Sequence, residues 1–149
     1  MSTTSSTAKI LGWLGVLPFI ISVWYTFQQS SFLGFYPPFV FLVYSGTILA
    51  FLSGALWGRI YEQENRTQRK RLLLMSNCFA LLAFVGVLLS NLYIPMALAA
   101  LGSGFWLIWR LEVLSFNSDW TSEWYLDLRK QLTYTVVVLH LLELVIIWL

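Results

Sequence analysis

The residues best placed to do chemistry lie close together in the last apolar run of the chain. His140, the single histidine, and Glu143 stand three positions apart between Leu132 and Leu149. Residues three or four apart share a helix face, so the two side chains are neighbours if this run is helical. Thr133, seven positions before His140, extends the same face. A bare carboxylate in a bilayer is costly and must be protonated, paired or hydrated. Two readings follow. One is a proton-accepting pair in a transport or relay path. The other is a His–Glu hydrogen bond that fixes helix packing.

Arg110 and Glu112 form a second charged pair near the end of another apolar run. Two apart, they point to different sides of a helix and do not pair with each other. Arg110 either snorkels to the nearest interface or acts as counter-charge to the polar pair, to a carboxylate elsewhere, or to a lipid phosphate. Asn77, inside a further apolar run, is another polar group that needs a partner.

Other chemistries lack parts. A single histidine permits axial haem ligation, but no second motif supports it. Cys78 is the only cysteine, so the chain forms no internal disulfide and shows no metal-ligand spacing. It reads as a small buried apolar residue. No nucleophile elbow, zinc-protease motif or phosphate loop is present. The expectation is a non-enzymatic protein with no cofactor and no metal.

The elements that position these residues are apolar helices. Hydrophobic residues make up 58% and charged residues 11% of the 149, against roughly 25% charged in soluble domains. Spanning a bilayer takes about 20 apolar residues, and five segments approach that length: roughly 10–27, 39–58, 72–89, 94–114 and 132–149. The runs are continuous rather than alternating, which argues against a barrel. The fold class is therefore all-α, a single polytopic bundle of about five transmembrane helices. Pro18 is expected to bend the first, and Pro95 suits the first turn of the fourth. The Ser/Thr-rich N-terminus lacks a cleavage site, so the first run reads as a retained helix. An interfacial helix is expected near 119–131, with Trp120, Trp124 and Tyr125 at headgroup depth.

Charge sets the orientation. All nine Lys and Arg residues fall on one side of five spans, and the loops 28–38 and 90–93 carry no charge. The positive-inside rule then places the N-terminus in the cytoplasm and the C-terminus outside. Arg59 to Arg71 reads as a topology signal, with anionic-lipid binding as the alternative. The net charge of +2 gives no ground for a nucleic-acid partner.

The second span carries small residues at every fourth position: Gly46, Ala50, Gly54 and Gly58. Such a ladder reads as a groove for close helix packing, within the chain or against another subunit. Ala100 and Gly104 repeat the device on the fourth span. Expected partners are thus membrane lipids and either further copies of the chain or another membrane protein.

Three stretches resemble the family of unknown function labelled DUF3429. They are Leu11-Gly12-x-x-Gly15-x-x-Pro18-Phe19, Tyr44-Ser45-Gly46-x-Ile48-Leu49-x-Phe51-Leu52-x-Gly54-x-x-Trp57-Gly58, and Trp124-Tyr125-x-x-Leu128-Arg129-x-x-Leu132-Thr133. Members often carry His just before the Trp-Gly; Leu56 stands there in this chain. The resemblance implies a small polytopic inner-membrane protein of bacterial type, with relatives in mitochondria. It implies no activity, substrate or cofactor. The leading expectation is a helix-packing subunit or accessory factor of a membrane assembly. The rival is a small proton- or ion-coupled transporter that uses His140 and Glu143.

Overall fold

In the computed structural model, residues 3–60, 66–115 and 122–149 are described. They form six helices: α1 Thr3–Leu14, α2 Leu17–Phe27, α3 Pro37–Ile60, α4 Arg66–Leu89, α5 Ile94–Ser115 and α6 Glu123–Trp148. The first two share one span, Ser5–Phe27, so the described residues hold five helical segments long and apolar enough to cross a membrane. Large apolar side chains such as Leu81, Phe84 and Val145 are exposed. That suits a bundle whose outer surface meets lipid, where exposed apolar groups cost nothing.

Consecutive spans run antiparallel. Ser53 of α3 donates to the Ser76 carbonyl of α4, while Gly46 further back on α3 lies against Ala83 and Val87 further along α4. Glu112 meets Arg129 and Gly102 meets His140, which fixes the same relation between α5 and α6. The core is built from fully buried Phe41, Leu42, Leu49, Leu98, Leu101 and Ile108 on α3 and α5, and α3 and α5 pack on each other as well as on their chain neighbours.

The first span breaks at Gly15–Val16. Pro18 has no N–H to give and sits in the first turn of α2, where that loss is harmless. Phe19 and Ile20 N–H groups donate to the Val16 carbonyl, so the Gly15 carbonyl is released from the helical ladder. Tyr44 Oη of α3 donates to it at 2.9 Å. An unmet carbonyl in hydrocarbon costs several kcal/mol, so Tyr44 makes the break tolerable. Tyr44→Phe is expected to destabilise the protein by about 1–3 kcal/mol, read as a lower unfolding midpoint in detergent. An unchanged midpoint would show that water serves this carbonyl.

The link between α2 and α3 holds a tight turn. Phe32 and Phe35 exchange both backbone hydrogen bonds, at 3.0 and 2.9 Å, across Leu33 and Gly34, both at positive φ. This is the geometry of a two-residue hairpin, for which glycine at the second position is well suited.

Helix α6 starts at Glu123 and continues without interruption to Trp148. Trp124, Tyr125 and the residues up to 131 therefore belong to the same rod as the fifth span. Positions 119–121, including Trp120, lie outside the described residues.

Candidate functional site

One face of α6 organises the polar interior. Arg129, Thr133, Val136, His140 and Glu143 are all buried. Their spacing of four, three, four and three keeps them on one stripe. At 1.5 Å per residue the stripe is about 21 Å long.

His140 sits among Phe41, Phe105 and Phe19, with ring centroids 4.8, 5.5 and 6.0 Å away. Its Nδ1 lies 2.8 Å from the Val136 carbonyl. A carbonyl only accepts, so Nδ1 carries the proton and donates. Nε2, 2.9 Å from Ser45 Oγ, then accepts the Ser45 hydroxyl. Gly102 lets α5 close on this imidazole; a Cβ there would already stand 3.4 Å from His140 Cβ.

Glu143 is fully buried. Its Oε1 lies 2.7 Å from Thr26 Oγ1 on α2, and its Oε2 has no partner. Thr26 Oγ1 is also 3.0 Å from the Ser22 carbonyl. A hydroxyl has one proton. Both contacts are hydrogen bonds when the carboxyl carries its own proton and donates to Thr26, which donates on to Ser22. His140 and Glu143 thus share a face but take separate partners, on α3 and α2, and no His–Glu hydrogen bond joins them. Thr26 also lines a cavity of about 360 Å³ beside the Phe32–Phe35 turn.

A second polar centre lies at the other end of the stripe. Glu112 of α5, 4% exposed, accepts from Arg59 Nη1 at 3.0 Å and from Arg129 Nε at 2.9 Å, while Arg129 Nη2 lies 2.8 Å away in ion-pair contact without a hydrogen-bond partner. Arg59 Nη1 also donates to Tyr125 Oη at 3.0 Å, and its guanidinium lies 4.9 Å from the centroid of that ring. Three helices are tied by this hub: α3 through its last turn, α5, and α6 through its first two turns. The sequence alone shows no partner for Glu112, and in it Arg59 and Arg129 read as orientation signals. Its faint clue was that Glu112, unlike Arg110, shares the α5 face of buried Ile108 and Phe105.

The remaining singled-out residues scatter. Arg110 is exposed on α5 and stands apart from the His140 and Glu143 cluster. Asn77 is exposed and donates to the Leu73 carbonyl of its own helix. Cys78, expected to be buried, is exposed on α4, because the buried face of that helix runs through Ser76, Phe79 and Ala83. The small-residue ladder divides. Gly46 is buried against α4, whereas a Cβ at Gly54 or Gly58 would meet nothing within 4 Å, and Ala50 is exposed. The cause is helical geometry: a step of four residues overshoots one turn by about 40°, so three steps rotate the stripe by about 120°. On α5, Gly104 admits Leu49 of α3 and Leu82 of α4. Among the described residues no three His, Cys, Asp or Glu side chains gather as metal ligands.

Helix length, hydropathy and an interior tied by polar contacts define a multi-pass membrane protein, an all-α helical bundle. Within that class the chain belongs to the DUF3429 family, described as a protein of unknown function, whose model matches residues 4–145. Comparison with curated proteins and with solved structures gave no match. The stretches that carry the family resemblance meet in space: Tyr44 caps Gly15, and Tyr125 and Arg129 join the Glu112 hub. Leu56, which stands just before Trp57-Gly58, is fully buried.

Proposed function

We propose that this protein is a non-enzymatic subunit or accessory factor of a membrane assembly, seated in a bacterial cytoplasmic membrane with its basic end inside. It acts by packing the open part of α3 against a helix of another subunit, either a second copy or a different membrane protein. The observation that carries this reading is the empty space over Gly54 and Gly58. Small residues let backbones approach closely, which is how helices associate where lipid removes the hydrophobic drive. Support also comes from His140, whose two ring nitrogens are spent on partners inside the bundle. The test is native purification in a mild detergent with mass spectrometry of what co-purifies. A stoichiometric partner or a homo-oligomer that Gly54→Leu dissociates supports the reading. A monomer with no partner, or an assembly indifferent to Gly54→Leu, overturns it.

A second reading is favoured by Glu143, which is buried with one oxygen unpartnered. An ionisable group in that position is a functional hypothesis by default. Here the carboxyl exchanges a proton through Thr26 with the cavity that Thr26 lines. Proteoliposomes are then expected to show a proton flux that Glu143→Gln abolishes while the protein stays folded. A hydrophobic carbodiimide, which attacks protonated carboxyls, is expected to block the same flux. Equal flux in wild type and variant removes this reading.

A further inference from the structure

Between α1, α3 and α6 lies a partly open cavity of about 520 Å³, within the range of small-molecule sites. It exists because α1 leans on α6 and leaves a gap towards α3. Its walls are apolar, with Leu11 and Gly12 from α1 and Leu52 and Ala55 from α3. Thr133 and Arg129 of α6 also line it. Thr133 is 2% exposed, and its Oγ1 has no hydrogen-bond partner. That is unlike Thr26, Thr47 and Thr135, whose hydroxyls each return to the carbonyl four residues back. A buried hydroxyl with nothing to bond is costly, and an acceptor supplied by a ligand removes the cost. One turn away towards the hub, about 6 Å along α6, Arg129 belongs to a cluster that, among the described residues, holds two guanidinium groups and one carboxylate with a formal charge of +1.

We propose that this cavity holds one chain of an anionic glycerophospholipid as a bound structural lipid. The acyl chain lies along the apolar wall. Its ester carbonyl accepts from Thr133 Oγ1, and its phosphate rests at the Arg59–Glu112–Arg129 hub. In such a lipid the ester carbonyl lies a few ångströms below the phosphate, which matches the one-turn offset between Thr133 and Arg129. The net positive hub selects an anionic headgroup over a zwitterionic one. On α3 this site adjoins the face assigned to helix packing, since Gly58 lies three residues from Ala55.

The test is native mass spectrometry of the full chain in a non-ionic detergent, with added phosphatidylglycerol, phosphatidylcholine or oleic acid. Wild type is expected to retain one phosphatidylglycerol in preference to phosphatidylcholine, and to unfold at higher temperature in its presence. Thr133→Val keeps the shape and removes the donor, and is expected to weaken retention roughly two- to tenfold. Ala55→Phe, on the exposed wall, fills the cavity and is expected to abolish retention. Val145→Phe, on the lipid-facing side of α6 away from the cavity, is the control and leaves retention unchanged. Equal retention of the two phospholipids, retention of oleic acid in their place, or wild-type retention in both cavity variants overturns the proposal.

Discussion

Glu112→Ala is expected to cost about 3–5 kcal/mol of stability, the usual result of removing one partner from a buried ion pair. The two guanidinium groups left behind differ. The Arg59 side chain is 26% exposed and can turn to water, while that of Arg129 is 8% exposed and cannot. The loss therefore comes chiefly from Arg129, held as an uncompensated charge among α3, α5 and α6. Removing both charges separates this cause from simple loss of packing. Glu112→Leu/Arg129→Leu is expected to recover most of the stability, because apolar replacement of a buried pair is often neutral. Reversible unfolding in mixed micelles measures both. A single variant as stable as wild type would mean that water reaches Arg129, and the hub would cease to be a buried lock.

The second large effect separates two glycines of one ladder. At Gly46 a Cβ would run into Val87 Cγ2 and stand 3.2 Å from the Ala83 carbonyl oxygen. The first obstacle is a stiff β-branched side chain and the second is backbone, so α4 would have to move away. Gly46→Leu is expected to cost about 3 kcal/mol or more and to abolish the folded monomer in detergent. Gly54→Leu, in open space, is expected to change monomer stability by no more than about 0.5 kcal/mol, while removing the association proposed for α3. Unfolding midpoint and oligomer mass, measured on both variants, give opposite patterns. Equal destabilisation by both would deny that the ladder changes role along its length.

What the sequence made legible follows from the kind of signal it carries. Apolar runs and their lengths report on lipid contact, so the five spans could be read without any partner. Pro18 announced a bend, because the missing N–H is a local property. Contacts between helices were harder to see. Glu112 takes its partners 53 positions before it and 17 after it, and no local pattern encodes that meeting. The expected pairing of His140 with Glu143 rested on a shared face. A shared face does not decide partners when α2 and α3 bring Thr26 and Ser45 closer. The four-residue ladder looked like one groove because the eye does not add the rotation per step. Tyr125 read as an interfacial anchor since nothing local distinguishes an aromatic at headgroup depth from one inside a charged hub.

The neighbourhood of α6 bears on how the molecule is made. Helices enter a membrane in order of synthesis, yet α1 and α2 pack against α6, which comes last in chain order of the six described helices. Thr26, Ser45, Arg59 and Glu112 are therefore laid down before their partners on α6 exist. Until that helix arrives, the earlier spans hold to one another through Tyr44–Gly15, Ser53–Ser76 and Arg59–Glu112, while Thr26 and Ser45 lack their α6 partners. Docking of α6 is the step that completes the polar interior, because α2, α3 and α5 all keep a polar partner on it.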